Sequence, residues 1–324
     1  MITAIRDFLR RVVGAPTQNS LITVIRGNRR PRHRRPSGMK RTAIALVLLL
    51  AGCGGQTVTL PLAQPQPTPT PVNLVKDDYK GRFRVMATVL ENQAHGPQLC
   101  QAVAESLPPQ CGGPDIVGWK WDGLPHESVN GTKWGSFILT GTFDGKSFTL
   151  TEPAKADDGS FKPFEKKPDF TSPCPGPLKP VDLAKATDDA MQAANALVAG
   201  DPDFGGLWID QTPPPTDLAT PANDPAKLVL NIRFTKDLKR HETEIRKVWG
   251  GALCLSLARH TEAELQRIQD EVSNEPGMSW TSTDVVTGTV EIGVFVAREG
   301  RQRELDTKYG VGLVTLYGTL QPID

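Results

Sequence analysis

The C-terminal part of the chain repeats one order of predicted elements. Strand, helix and strand patterns follow one another over residues 228–257 and again over residues 289–320. Each predicted helix ends in an aromatic residue followed by glycine, at Trp249-Gly250 and at Tyr309-Gly310, and glycine accepts the backbone conformation that ends many helices. Two βαβ units in series are what a ferredoxin-like βαββαβ domain requires. The sequence therefore predicts that domain over residues 181–324, with one further helix inserted between its middle strands.

Residues 77–152 are predicted to form a small all-β domain. Apolar residues alternate with other residues over residues 82–90, as in a strand with one buried face. Asp144-Gly145 stands between two β-rich runs and favours a two-residue type I′ hairpin turn. A further short strand is expected from Val117 to Trp121. Strands in this number suggest a small barrel, which could be OB-like, or a sandwich. The whole chain is thus expected to be α+β, with residues 153–180, rich in proline and lysine, as the linker between two domains.

A short apolar run precedes the first cysteine. The segment 39–52 begins with Met39-Lys40-Arg41 and contains nine apolar residues from Ala43 to Ala51. Nine residues of helix span only about 14 Å, whereas the hydrocarbon core of a bilayer is about 30 Å thick. A basic start, a short apolar run and small residues before a cleavage point are typical of a signal peptide. The segment is therefore predicted to direct export and not to span the membrane.

The sequence Leu50-Ala51-Gly52-Cys53 resembles the lipobox of bacterial lipoproteins, at its expected place behind the apolar run. The resemblance implies cleavage between Gly52 and Cys53 and the attachment of acyl chains to Cys53, which becomes the new N-terminus. Each buried CH₂ group of an acyl chain contributes about 0.8 kcal/mol to membrane binding, so two or three chains anchor a protein firmly. The implied location is the outer face of the cytoplasmic membrane.

The rest of the chain is similar in style to uncharacterised exported lipoproteins of high-G+C Gram-positive bacteria. The similarity rests on the segment Gly-Pro-Gln-Leu-Cys that ends at Cys100 and on the segment Pro-Pro-Gln-Cys-Gly-Gly-Pro around Cys111. No activity follows from it, so it adds only to the expected location.

Charge is distributed unevenly along the chain. Eleven of the 37 lysines and arginines lie in residues 1–52, together with one of the 36 acidic residues. From Cys53 onward, 26 basic residues stand against 35 acidic ones, a net charge of −9. A body this acidic is a poor candidate for binding nucleic acid, so no nucleic-acid partner is expected.

Two segments outside the predicted domains have their own interpretations. Residues 1–38 carry an arginine-rich tract at 29–35 and are interpreted as a start codon assigned too early or as a long basic start of the signal. A tail that binds nucleic acid or acidic membranes is the alternative. Residues 53–76 hold the lipid-bearing cysteine and a proline-rich stretch, which is predicted to be an extended tether.

Four further cysteines follow Cys53: Cys100, Cys111, Cys174 and Cys254. An even number in an exported chain favours disulfides, and four cysteines allow three pairings. The short separation of Cys100 from Cys111 favours that pair, which leaves Cys174 to pair with Cys254. The cysteines show no CxxC spacing, so nothing in their arrangement indicates a metal site.

Sequence motifs for catalysis fail on particular residues. The segment from His241 to Ile245 begins like the zinc motif HExxH, but Ile245 stands where the second histidine is needed. The segment from Gly141 to Ser147 resembles a phosphate-binding loop that is one residue short and has no helix after it. No GxSxG motif is present. The sequence therefore predicts no catalytic residue, no metal ligand and no cofactor, and it favours a non-catalytic protein while leaving an enzyme as the alternative.

Three tryptophans offer a candidate binding surface in the all-β domain. Trp119 and Trp121 are two residues apart, which would place both on one face of a strand, and Trp134 is nearby in sequence. Such a face can stack on sugar rings or on a peptide. The alternative, which the small size of the domain favours, is that these large rings fill its core.

Three functions are compatible with these observations. The preferred one is a membrane-tethered binding or scaffold protein without catalysis, whose partner is an envelope glycan, peptide or protein. The second is a cell-envelope hydrolase with an unrecognised active site, for which Glu127, His126 and His95 are candidate members. The third is an accessory subunit of an envelope enzyme or transporter that docks through a sheet edge of the C-terminal domain. A cleft with a paired histidine and carboxylate would favour the hydrolase, and a large exposed apolar patch would favour the accessory subunit.

Overall fold

Sheet dominates the computed structural model, which is mixed α+β with few helices. It describes residues 69–100, 103–104, 106–211 and 224–324, and these belong to one compact unit. The signal segment, the lipobox with Cys53 and the first part of the tether lie outside the described residues. Within them, no helix is both long enough and apolar enough to cross a bilayer.

All of the first eight strands except β1 belong to a closed, barrel-like sheet. The eight strands are β1 (Leu74–Val75), β2 (Phe83–Glu91), β3 (Gln98–Cys100), β4 (Asp115–Val117), β5 (Glu127–Val129), β6 (Thr132–Phe143), β7 (Ser147–Leu150) and β8 (Lys155–Ala156). The ring runs β2-β3-β4-β7-β6 and closes because β6 also pairs with β2. All its pairings are antiparallel except that of β4 with β7. Strands β5 and β8 pair with β6, and β1 lies outside the ring.

The alternation predicted for β2 is confirmed. Phe83, Val85, Ala87 and Val89 all face the barrel core, where they pack with Phe137, Leu139 and Phe148.

Two local predictions need correction. The strand expected over residues 117–121 ends at Val117, because Gly118 takes a φ of 86° and turns the chain.

The hairpin at Asp144-Gly145 forms, but its turn is not the expected two-residue one. Three residues, 144–146, separate β6 from β7. The Asp144 carboxylate accepts hydrogen bonds from the backbone N–H groups of Lys146 and Ser147, both at 2.8 Å. Because that carboxylate organises the turn, only Gly145 needs a positive φ.

Among the described residues, the C-terminal half contains four helices of eleven residues each: α1 (Asp188–Val198), α2 (Leu238–Val248), α3 (Glu262–Val272) and α4 (Glu299–Tyr309). Its strands are β9 (Phe204–Asp210), β10 (Val229–Phe234), β11 (Ala252–Leu257), β12 (Met278–Asp284), β13 (Thr289–Val294), β14 (Ala297–Arg298), β15 (Val314–Gly318) and β16 (Gln321–Pro322). A 3₁₀ turn at Leu183–Lys185 precedes them. The order helix, strand, strand, helix, strand therefore occurs twice, as α1-β9-β10-α2-β11 and as α3-β12-β13-α4-β15. The helix expected as an insertion is the first helix of the second unit.

Both predicted βαβ units are present, but the single ferredoxin-like sheet is not. Strand β10 pairs parallel with β11 and antiparallel with β9, and β13 pairs parallel with β15 and antiparallel with β12. The result is two three-stranded sheets in place of one four-stranded sheet. In each unit the third strand is the one that directly precedes the βαβ segment in sequence. Pairing with a near neighbour in the chain closes a short loop and loses less entropy than joining the two units.

Two helices pack against one face of each three-stranded sheet. Leu230, Ile232 and Phe234 of β10 pack under α1 and α2, and Val290 and Ile292 of β13 pack under α3 and α4. Residues that alternate with these point to the opposite face of each sheet. On that face lie Trp208 and Asp210 of the first sheet and Asp284, Glu291 and Tyr317 of the second.

Residues 164–174, which we name the strap, contact these opposite faces of the two sheets. The Trp208 indole N–H donates to the Phe170 carbonyl at 3.1 Å, and the Ser172 N–H donates to the Asp210 carboxylate at 2.7 Å. Lys166 forms ion pairs with Asp284 and Glu291 of the second sheet. The strap lies within the segment predicted to be a linker, and it contacts both sheets.

The two ends of the described chain join the barrel to the second unit. Strand β16 pairs with β2, and Arg82 forms an ion pair with Asp324 at 3.0 Å. Strand β1 pairs with β14 of the second unit. Leu320, next to β16, is fully buried in the core of the barrel.

Candidate functional site

Both predicted disulfides form. Cys100 bonds to Cys111 and Cys174 bonds to Cys254, each with its Cα atoms 5.8 Å apart. The first closes the connection between β3 and β4 of the barrel. The second attaches the strap to β11. A pair of disulfides is expected of a chain that matures in an oxidising compartment.

Two of the three predicted tryptophans lie together in the loop after β4. The rings of Trp119 and Trp121 meet edge to face at 5.0 Å, and the Trp119 ring lies 4.9 Å from that of Phe137 in the barrel core. The Trp121 indole N–H donates to the Glu91 carboxylate at 2.5 Å, and its ring lies 4.8 Å from His126. These contacts favour the core alternative for both rings, because each is held by the barrel.

Trp134 is separate from that pair. It lies on β6, opposite Leu90 of β2 and Glu127 of β5, and is half-buried. The ring contacts found among the described residues do not join it to Trp119 or Trp121.

A cavity of about 440 Å³ borders Trp119. Its apolar wall is formed by Trp119, Leu124, Leu150, Pro153 and Ala154, and its polar lining comes from Lys120, Asp122, Thr151 and Glu152. The Trp119 indole N–H is buried and has no hydrogen-bond acceptor among the described residues. The barrel therefore keeps a concave surface beside one predicted tryptophan.

A second cavity, of about 550 Å³, lies between the β6–β7 turn and the second unit, and we name it the cleft. Its apolar wall consists of Phe143, Val294, Phe295, Val296 and Leu316. Pro276 and Gly277 border it, with the charged residues Glu275, Arg298 and Arg301. An apolar cavity of this size with a few polar groups is typical of a small-molecule site.

The charged residues of the cleft differ in their partners. Arg301 forms ion pairs with Glu275 and with Glu304. Arg298 donates from Nη1 to the backbone carbonyls of Asp77 at 2.8 Å and Lys76 at 3.4 Å. In the part of the chain that the structure describes, no carboxylate forms an ion pair with Arg298. Arg298 thus brings an uncompensated positive charge to the cleft.

Asp201, Asp203 and His241 form a cluster that could reach one metal ion, with ligand atoms within 4.8 Å of one another. The negative charges of the two carboxylates are balanced by the positive charges of Lys236 and Arg240. Lys236 lies 3.2 Å from the Asp203 carboxylate, and Arg240 lies 3.7 Å from Asp201 and 3.6 Å from Asp203.

The imidazole of the cluster is also engaged. Arg240 Nη2 lies 3.0 Å from His241 Nε2, and because arginine only donates, Nε2 must accept. The proton of the neutral ring is then on Nδ1, which faces Asp201 at 3.6 Å. Burial, followed by the charge of Arg240, lowers the pKa of His241. The cluster is a charge-balanced network, and its ring offers no free lone pair to a metal.

Sequence reasoning had no signal for this network. Asp201 and Asp203 stand in the turn before β9, and His241 lies on α2, some 40 residues further along the chain. Only the tertiary fold brings them together. Ile245, which stands where the zinc motif HExxH has its second histidine, is buried in the core of the first unit.

The candidate members of a hydrolase site have structural partners. The two ring nitrogens of His95 lie 2.9 Å from the Asn92 amide and 2.7 Å from the Gly96 carbonyl. His126 donates to the Leu124 carbonyl at 2.9 Å, and Glu127 is exposed on β5. A histidine–carboxylate pair does occur at His260 and Glu264, 2.9 Å apart at the start of α3, but it lines neither the cleft nor the cavity beside Trp119.

Lys166 of the strap is joined to a largely buried group of polar side chains on the second sheet. Lys166 contacts Asp284 and Glu291, and the Tyr317 hydroxyl donates to Glu291 at 3.1 Å. Burial, together with the charge of Glu291, raises the pKa of Tyr317 to about 12. Burial alone would raise the pKa of Asp284, but Lys166 and the N–H groups of the β12–β13 turn lower it. These groups hold the strap to the second sheet.

No protein-family model, curated protein sequence or solved structure matches this chain.

Proposed function

We propose that the protein is a membrane-anchored extracytoplasmic lipoprotein with a binding or scaffold role and no catalysis. The observation that carries this proposal is the combination of a lipobox-like sequence at Cys53 with two disulfides beyond it. Acyl chains on Cys53 would hold the protein on the outer face of the cytoplasmic membrane. Disulfides persist in that oxidising location and are rare in the cytosol.

We also propose that the chain is organised as an OB-like barrel over residues 77–152 followed by an α+β domain over residues 181–324. A closed five-stranded ring with a single parallel pairing, β4 with β7, supports the OB-like assignment. Barrels of this kind bind ligands and also serve as structural modules, so the assignment agrees with a binding role without specifying the ligand. The cavity beside Trp119 and the cleft are two surfaces that suit such a role, and an envelope glycan, peptide or protein remains the expected partner class.

The anchor is tested by changing Cys53 to Ala. The thiol is the only group at this position that can take a thioether-linked lipid, so the variant is expected to move from the membrane fraction to the soluble exported fraction. The measurement is fractionation followed by a carbonate wash, with incorporation of a labelled fatty acid as the direct readout. Cys174→Ser serves as the control, because it removes a cysteine without touching the lipobox. A Cys53→Ala protein that still pellets with carbonate-washed membranes would contradict the anchor.

A further inference from the structure

We propose that the cleft between the β6–β7 turn and the second unit binds a single-chain amphiphile with an anionic head group. This inference rests on the proposed binding role and is independent of the lipid anchor. Its ligand class follows from the two halves of the cleft, which are an extended apolar wall and one uncompensated arginine.

The apolar wall comes from two distant parts of the chain. Phe143 closes β6 of the barrel, and Phe295 follows β13 of the second unit, with ring centroids 5.7 Å apart. Both rings and Val296 are half-buried, so each presents apolar surface to the cleft. Covering this surface with hydrocarbon removes it from water, which favours binding by about 25 cal/mol per Å².

The polar end of the cleft is set by Arg298. Its Nη1 group is used by two backbone carbonyls, and no carboxylate among the described residues forms an ion pair with it. The nearby Asp77 carboxylate is occupied, since it accepts from the Gly300 N–H at 2.8 Å and pairs with Arg303 at 3.1 Å. A half-buried guanidinium without a counter-ion favours a carboxylate or phosphate, which it binds through charge-assisted hydrogen bonds.

Other ligand classes fit less well. A cationic amphiphile would meet Arg298 with like charge, and a neutral sugar would meet a wall made mainly of phenylalanine, valine and leucine. A ligand with several negative charges would find only Arg298 without a carboxylate partner among the described residues that line the cleft, because Arg301 is already paired with Glu275 and Glu304. One anionic group on an apolar chain matches both halves.

The test measures binding of four dodecyl compounds to the purified full chain carrying Cys53→Ala, so that no acyl chain of its own competes. Dodecanoate and dodecyl phosphate carry the two possible anionic heads, and their relative affinities identify the preferred one. Dodecyltrimethylammonium and dodecyl maltoside carry the same chain with a cationic and a neutral head. Titration calorimetry below the micelle-forming concentrations is expected to show binding of one or both anions and much weaker binding of the other two.

Variants locate the site. Arg298→Gln is expected to weaken anion binding roughly tenfold by removing the charge-assisted bonds, and Arg298→Lys to restore part of it. Lys308→Gln, at an exposed position of α4 outside the cleft lining, is expected to leave binding unchanged. Because Arg298 also holds two backbone carbonyls, the exposed cleft residue Pro276 supplies a second test. Pro276→Lys is expected to strengthen anion binding and Pro276→Glu to weaken it.

Three outcomes would overturn the inference. The first is binding of the cationic compound as tightly as the anions, and the second is no anion binding. The third is an equal effect of Pro276→Lys and Pro276→Glu on anion binding. Each result leaves the anchor untouched, since the anchor is decided by fractionation of Cys53→Ala, and a failed anchor likewise leaves the cleft to be decided by these titrations.

Discussion

At the scale of single residues, His241 shows how the fold fixes a protonation state. Its ring is stacked on Phe234, with centroids 3.6 Å apart and planes within 5° of parallel, and only 4% of the residue is exposed. Burial and the charge of Arg240 lower its pKa, while Asp201 and Asp203 oppose this shift more weakly. The ring is therefore neutral in the folded protein under neutral conditions, and it takes up a proton more readily in the unfolded chain.

This difference predicts a pH dependence of stability. The stabilisation linked to the neutral ring is complete above the ordinary histidine pKa of about 6.5 and is lost as the pH falls from there through the lowered pKa of the folded state. His241→Phe keeps a flat ring on Phe234 and cannot titrate. Urea denaturation at pH 7.5 and at pH 5.5 is expected to show a larger loss of unfolding free energy in the wild type than in the variant. Equal losses in both proteins would exclude His241 as the source.

At the scale of elements, local patterns were predicted from the sequence and their partners were not. The alternation in β2 and both βαβ units follow from periodicities within one segment, and the fold has them as expected. The antiparallel pairings of β9 with β10 and of β12 with β13 join different segments, and periodicity within one segment does not encode them. Trp119 and Trp121 were predicted to lie on one strand because they are two residues apart. That prediction is wrong because Gly118 takes a positive φ and ends the strand at Val117.

The strap and the cleft lay beyond sequence reasoning for a related reason. Proline and lysine between two patterned regions indicate a linker, and residues 164–174 contain no helix or strand. Their contacts are with side chains from both sheets, such as Trp208 and Glu291, that are distant in sequence. The cleft likewise joins Phe143 to residues about 150 positions later. Such sites are defined by tertiary packing alone.

Lys166 is predicted to hold the strap in place. Lys166→Ala leaves Asp284 and Glu291 side by side, largely buried and without their cation, and is expected to lower the unfolding free energy by about 2 kcal/mol at pH 7. The loss should shrink as the pH falls towards 4, because burial raises the pKa of Asp284 once Lys166 no longer lowers it, so that this carboxylate takes up a proton more readily in the variant. Denaturation curves at both pH values measure it. Lys167→Ala, an exposed neighbour, is the control, and an effect as large as that of Lys166→Ala would contradict the role of the ion pairs.

At the scale of the whole molecule, the last residues of the chain, from Leu320 onward, pack on the barrel and not on the sheet that directly precedes them. Leu320 follows the last strand of the second unit, yet it is 0% exposed among barrel residues such as Val85 and Leu139. Phe295 and Val296 of the second unit also pack on this core. Unfolding of the second unit would withdraw these side chains and β16 from the barrel. The two parts are therefore expected to unfold together, whatever their boundaries as domains.

Leu320→Ala tests this coupling. Removing a fully buried leucine side chain leaves a cavity and is expected to cost about 3 kcal/mol of unfolding free energy. Because the barrel and the second unit share this residue, scanning calorimetry of the wild type should show one transition over the described fold, and the variant should shift that whole transition to lower temperature. Leu107→Ala is the matched control, because the same side chain is 77% exposed there and its loss should change the unfolding free energy by less than about 0.5 kcal/mol. The contrary result would be two transitions, with Leu320→Ala shifting only the transition of the barrel. The second unit would then fold without the barrel, and the shared core would not couple the two parts.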